Sequence, residues 1–319
     1  MPRTDRRASR EFDLVVIGEV NPDIILSGDV TPEFGQVEKI VESGAIRIGS
    51  SSAIFACGAA RLGLNVMFWG MVGDDLFGHF MLDSMRARGV NVDSIIVDAE
   101  RHTGFSVILA TGADRAILTY PGVMPDIRLR DIDLDQLSRV SHLHMGGYYL
   151  LDALRPDVPK LFEAARQRGT TVSLDTNYDP REDWRDALDT LPLLDMLLVN
   201  DTEAQALTNR QTPAEAIDAL AERVPLVAVK QGAEGALARQ GETIHRVEPP
   251  SVTVKDTVGA GDSFDAGFIY GYLAGWPLDC CLSLGAACGS LSTRQHGGTD
   301  AQPTLDEARA SIPALAGCQ

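Results

Sequence analysis

The chain has 319 residues, 45% hydrophobic and 23% charged, with a formal net charge of −17. That balance is globular, long enough for one large domain or two small ones, and no apolar run reaches the length of a membrane span. So acidic a chain argues against nucleic acid as a partner, and an anionic substrate would need a local site that overcomes the field.

Met1 to Glu11 is polar, arginine-rich and without the apolar core of a signal peptide. It reads as a disordered tail ahead of one folded unit over residues 12–319, and the expected location is the cytoplasm. Asp13 to Gly18 reads as a buried strand and turn, Ala53 to Leu62 as a small-residue helix, Asn65 to Gly70 as a strand, and Leu76 to Arg88 as a helix stopped by Gly89. Later strands are Ser141–Met145, Thr171–Leu174, Met196–Val199 and Leu226–Val229, separated by helical segments such as Pro156–Arg168 and Pro213–Arg223. Strands alternating with helices predict an α/β fold, a parallel sheet covered by helices on both faces, with ligands at the carboxyl ends of the strands. Residues 24–48 and 103–120 break the alternation. The second stretch reads as a hairpin around Gly112-Ala-Asp114, and together they predict a small β lid over the site. Its exposed strands offer an edge for a homodimer. Ala260–Ala274 and Leu278–Thr293 read as consecutive apolar helices. The five cysteines are Cys57, Cys280, Cys281, Cys288 and Cys318. Four lie in apolar helical runs, where a free thiol acts as a small hydrophobe, and no Cys-x-x-Cys pair points to zinc or a redox dithiol.

The chemistry concentrates in Asp256-Thr-Val-Gly-Ala-Gly-Asp-Ser-Phe-Asp-Ala-Gly267. Gly259 and Gly261 let the backbone turn tightly and approach a ligand. Their amides open a helix, where unpaired N–H groups and the dipole attract anions. Asp262 lies in the first turn, where the dipole is expected to keep it ionised. One turn therefore offers an anion hole beside a base, which is most of what phosphoryl transfer requires. A lone Gly-x-Gly-Asp is more often a turn and a cap, but the whole stretch closely resembles the signature of the ribokinase-like (PfkB) carbohydrate kinases.

Other stretches resemble the same family in order: Gly18-Glu-Val-Asn-Pro-Asp23, Gly73-Asp-Asp-Leu-Phe-Gly78, Asp175-Thr-Asn177, Asn200-Asp-Thr-Glu203, Lys230-Gln-Gly-Ala-Glu-Gly235, and Gly297-Gly298 with Gln302-Pro303. The resemblance spans about residues 12–305. It implies an ATP-dependent phosphotransferase acting on a hydroxyl of a sugar, sugar acid or nucleoside. In that reading Asp262 is the base, and Gly259, Ala260 and Gly261 form the anion hole with it. Asp23 holds substrate hydroxyls, beside Gly49, Ser50, Ser51 and Ile54, with Tyr120 as a candidate contact from the lid. Asn200, Glu203, Lys230, Gly232, Gly235 and Gly261 face the nucleotide, and Glu203 acts on Mg2+ through water. Asp256, Val258 and Gly297 match a monovalent-cation site, usually potassium, although Asp256 could equally cap the turn.

One departure falls on the acceptor side. The family's Gly-Gly and asparagine at the second helix are here Gly49-Ser-Ser-Ser-Ala-Ile54. Ile54 cannot hydrogen-bond a sugar hydroxyl, so ribose is disfavoured. The serines either donate in place of the missing groups or cap the helix. His142 and His144, alternating on one strand, read as packing groups. Asp74 and Asp75 read as turn formers. The rival to a kinase is a non-catalytic sugar or nucleotide sensor on the same fold, which would be expected to have lost Asp262.

Overall fold

The computed structural model describes residues 10–111 and 114–318. Fourteen strands were assigned among them: β1 (Phe12–Ile17), β2 (Pro22–Ser27), β3 (Ser43–Ile48), β4 (Val66–Gly73), β5 (Val90–Asn91), β6 (Ile95–Asp98), β7 (Phe105–Thr111), β8 (Asp114–Tyr120), β9 (Val140–Met145), β10 (Thr171–Leu174), β11 (Met196–Asn200), β12 (Leu226–Lys230), β13 (Ala236–Gln240) and β14 (Thr243–Val247). The helices are α1 (Ser51–Arg61), α2 (Leu76–Arg86), α3 (Val158–Gln167), α4 (Arg185–Leu188), α5 (Asp201–Thr208), α6 (Pro213–Ala221), α7 (Ala260–Ala274), α8 (Leu278–Ser292) and α9 (Leu305–Ser311).

The main sheet has the order β14-β13-β12-β11-β10-β9-β1-β4-β5, with β6 beside β4. It is parallel from β12 through β5, as the alternation predicts. Along β1 the two-residue period sends Leu14 and Val16 into one core and Val15 and Ile17 into the other. The first core includes Phe55 of α1, Phe268 of α7 and Leu284 of α8, and the second includes Phe162 of α3 and Ile217 of α6. Both faces are therefore dry, and the polar groups collect at the strand ends.

The sheet ends in an antiparallel hairpin, β13–β14, that the sequence reading passed over. Its signal was present: Gly241-Glu242 is a two-residue loop, and Gly241 takes φ 58°. A second, four-stranded sheet has the order β3-β2-β7-β8 and occupies the two stretches that broke the alternation. The β7–β8 pairing continues to Thr111 opposite Asp114, while Gly112 and Ala113 of the expected turn lie outside the described residues, as do residues 1–9 of the expected tail. Arg10 and Glu11 correct that expectation at its end. Arg10 hydrogen-bonds the Arg168 carbonyl at 2.7 Å and the Thr170 hydroxyl at 2.8 Å, and Glu11 pairs with Arg139.

The reading of the helical cysteines as free thiols needs a second correction. Cys280 and Cys318 form a disulfide, because α8 and the C-terminal turn bring their Cα atoms to 5.8 Å, within bridging range. Cys57, Cys281 and Cys288 are free and buried. Among the described residues no helix is long and apolar enough to cross a membrane.

Candidate active site

The loop before α7 is shaped by one carboxylate. Asp256 accepts the Val258 amide at 3.0 Å with one oxygen and the Gly297 amide at 2.9 Å with the other. It thereby ties the turn to the 297–298 loop. Gly259 follows with φ 71° and serves as the N-cap of α7. A Cβ there would stand 2.8 Å from both Gly298 Cα and Ile54 Cγ2, so sterics as well as conformation require glycine. The chain then enters α7 with its first amides unpaired by the helix and aimed out of its N-terminus.

Asp262, in the first turn, is buried. Burial, reinforced by the nearby Asp175 carboxylate, pushes its pKa well above the usual carboxylate range. The expectation that the helix dipole keeps this group readily ionised is therefore corrected: desolvation outweighs the dipole. A carboxylate held this way is a stronger proton acceptor once ionised.

Behind the hole lies an ion cluster. The Lys230 ammonium, at the end of β12, contacts Asp175 at 2.8 Å and Asp265 at 2.9 Å, and all three groups are almost fully shielded from solvent. Burial opposes its charge, but the two carboxylates more than offset this and hold its pKa above the ordinary lysine range. A Cβ on Gly261 would sit 3.6 Å from the same nitrogen, so the cation lies directly under the first-turn backbone of α7. Lys230 was expected to face the nucleotide. It borders the cleft, but its ammonium is given to carboxylates. Asp265 escaped the sequence reading, although it stands three residues after Asp262 and hence on the same side of the helix.

The strand ends open into a cleft of about 1090 Å³. It gathers Asn200, Glu203, Lys230, Gly232, Gly235, Ala260, Gly261 and Asp262, residues spread over more than sixty positions of sequence. Asn200 and Glu203 form a reciprocal cap at the start of α5: the Glu203 amide donates to Asn200 Oδ1 at 2.8 Å, and the Asn200 amide to Glu203 Oε2 at 2.9 Å. Burial and then Asp175 raise the Glu203 pKa to about 7.

Asp23 comes from β2 of the second sheet. Burial lifts its pKa to about 7, against the pull of Arg115. Gly49 leaves the room it needs, since a Cβ there would meet Asp23 Oδ1 at 2.2 Å. Ser50 resolves the open question for one serine: it caps α1 through the Ala53 amide at 2.9 Å and donates to the Glu19 carbonyl at 2.6 Å. Ser52 donates to the buried Glu19 carboxylate at 2.8 Å. Ser51 occupies the first position of α1. Ile54 is spent on packing against Gly259 and Gly298 and offers substrate no surface of consequence, a correction to its place among the substrate contacts.

Tyr120 also needs correction. Cross-strand register puts Thr119 opposite Ser106 and Ser106 opposite Asp23, so Tyr120 points to the other face of the second sheet. There it packs on Phe105, with Phe77 beyond. Arg115, two register steps along, does lie on the Asp23 face and escaped the sequence reading. His142 and His144 share the Ser173 hydroxyl at 2.7 and 2.8 Å inside the sheet, in keeping with packing roles. Asp75 caps α2 through the Gly78 amide at 2.9 Å.

The family model for pfkB family carbohydrate kinases matches residues 11–305. The chain belongs to the pfkB family of carbohydrate kinases. Its curated relatives include the 5-dehydro-2-deoxygluconokinase of Geobacillus kaustophilus, 32% identical over 282 residues, 81% of this chain and 82% of the relative. Among solved pfkB-like folds, a candidate ribokinase II of E. coli in complex with ATP and Mg2+ is 26% identical with a TM-score of 0.83, covering 95% of this chain and 99% of its own. The adenosine kinase of Sinorhizobium meliloti, 25% identical, also has a TM-score of 0.83, over 95% of this chain and 99% of its own. The protein is thus a kinase of the pfkB type, a phosphotransferase to an alcohol group.

Proposed function

We propose that this kinase transfers the γ-phosphoryl group of ATP to a hydroxyl of a sugar acid related to 5-dehydro-2-deoxygluconate. The observation that carries the transfer step is the placement of Asp262 beside the glycine-built mouth of α7, at the end of the large cleft. The acceptor class rests on the activity for which the relatives are named.

In this reading Asp262, once ionised, takes the proton of the attacking hydroxyl. The amides of Ala260, Gly261 and Asp262 gather the oxygens of the migrating phosphoryl group, with the helix dipole and the Lys230 cation behind them. Asp23 accepts hydrogen bonds from acceptor hydroxyls. The nucleotide lies along Gly232, Gly235 and the mouth of α5. Magnesium, when bound with ATP, neutralises phosphate charge. Glu203 fits it through water: one oxygen is held by the Asn200 amide and the other is left for a hydrated cation. A monovalent cation, potassium, fits the turn of Asp256, Val258 and Gly297, because each Asp256 oxygen keeps a lone pair beyond the amide it accepts. The second sheet serves as a lid over residues 24–48 and 103–120. Its exposed Ile46, Ile117 and Leu118 suit pairing with a second copy, which light scattering would detect.

The deciding experiment measures ADP release with ATP, Mg2+ and a panel of 5-dehydro-2-deoxygluconate, gluconate, ribose and adenosine. The first is expected to give the highest kcat/KM. Preference for ribose or adenosine would overturn the acceptor class while leaving the kinase reaction standing.

A further inference from the structure

We propose that Arg115 determines acceptor specificity, its guanidinium receiving the negative group of the sugar acid and setting which end of the acceptor faces Asp262. The inference rests on the sugar-acid reading above and names the residue that would enforce it.

An anionic acceptor enters a hostile site. Glu19, Asp23, Asp256 and Asp262 stand around it, in a chain of net charge −17. Lys230 cannot answer that charge, since Asp175 and Asp265 already hold it. Two further cations come from the second sheet. Register sets Arg47 opposite Asp23, and Arg115 opposite Ala110, which is opposite Ser27. Both arginines therefore lie on the face that carries Asp23.

The two differ in what they already hold. Arg47 stands 3.4 Å from Asp300, donates to the Ile46 carbonyl at 3.3 Å, and lays its stem on Gly297. Arg115 has Asp256 at 3.8 Å, beyond hydrogen-bond range, as its one ion-pair partner among the described residues. Arg115 thus brings a planar fork of five N–H donors to the site with most of them unspent. That fork matches a carboxylate in bidentate geometry.

Its location also imposes an orientation. Arg115 shares the sheet face of Asp23 and reaches to 3.8 Å from Asp256, in the turn that leads into α7, and its charge opposes the burial that raises the Asp23 pKa. A carboxylate placed on Asp23 would be repelled. The acid end consequently turns to Arg115 and the hydroxyl end to Asp23 and Asp262.

The test compares Arg115→Gln and Arg115→Lys with the wild type on 5-dehydro-2-deoxygluconate and on its carboxyl-reduced, neutral analogue. Arg115→Gln is expected to raise KM for the acid about 10- to 100-fold, the worth of a charge-assisted hydrogen bond. KM for ATP should hold, the neutral analogue should change far less, and lysine should recover part of the loss. A fall in kcat at unchanged acid KM would place Arg115 on the transferring phosphoryl group and overturn the proposal. Equal losses for acid and neutral acceptor would also overturn it while leaving the sugar-acid activity intact. A wild type that phosphorylates the neutral analogue and no acid would defeat the acceptor reading itself, and Arg115's role with it.

Discussion

The Lys230 ammonium reaches the Asp265 carboxylate at 2.9 Å across the junction of β12 and α7, in a place water scarcely enters. The contact couples the strand that borders the large cleft to the helix whose first turn carries Asp262. Removing the lysine leaves two buried carboxylates without the cation that offsets their desolvation. Lys230→Met should therefore destabilise the protein by about 3–5 kcal/mol, the usual consequence of breaking a buried ion pair from one side. Urea unfolding measures it, and a loss within experimental error would mean that the cluster is hydrated in solution.

Asp262→Asn should reduce kcat by about 10²- to 10⁴-fold, the range for a lost general base. Stability should move the other way. The folded-state pKa of Asp262 is raised, so its ionised form costs the fold free energy at pH 8, and asparagine removes that cost. A variant that is inactive and at least as stable, by calorimetry at pH 8, is the expected pairing. Near-normal turnover on the true acceptor would take Asp262 out of the base role.

Activity should rise with pH across a range well above that of ordinary carboxylates. Asp262 must be ionised to accept a proton, and burial first, then Asp175, holds that ionisation to higher pH. The accompanying stability change comes partly from Asp23, whose pKa climbs from 3.8 to about 7 on folding. Below the lower value both states are protonated. Between about 4 and 7 the unfolded chain ionises and the folded chain does not, so stability falls as pH rises through this window. Asp23→Asn should flatten that slope and raise KM for the acceptor more than KM for ATP. Melting temperatures and initial rates between pH 5 and 9 check both statements.

Acceptor binding should protect the second sheet from hydrogen exchange. Transfer to a hydroxyl competes with transfer to water, and closure excludes water. Protection is expected in residues 24–48 and 114–120, whereas β1 and β12, sealed between two cores, should change little. No response in the second sheet at saturating acceptor would make it a static wall.

Reduction should loosen the C-terminus. The Cys280–Cys318 bridge closes a loop with a sequence separation of 38, worth about 4 kcal/mol in the chain-entropy model. Cys318→Ser, or dithiothreitol on the wild type, should lower the melting temperature without changing KM for either substrate, since the bridge lies away from the cleft. An unchanged melting temperature would show that the bridge contributes no stability.

The sequence by itself determined the layered α/β architecture and the location of the chemistry. Hydrophobic periodicity is a local property, so β1, β4, β7 to β12 and helices α7 and α8 were legible to within a few residues, whereas the short β5 and β6 were not. The twelve residues from Asp256 to Gly267 carry their own backbone demands, which is why the glycine turn and the place of Asp262 in the first turn of α7 could be read in advance. The hairpin β13–β14 was missed, although its Gly241 turn was in view. What the sequence could not display were relations between distant residues. Strand register alone decided that Arg115 shares a face with Asp23 and that Tyr120 does not. Packing spent Ile54 on the glycines of the hole, and chain closure joined Cys280 to Cys318. Burial overturned the ionisation expected of Asp262, because a carboxylate's pKa depends on the solvent it has lost and on neighbours such as Asp175, 87 positions earlier (262 − 175), that only the folded chain brings near.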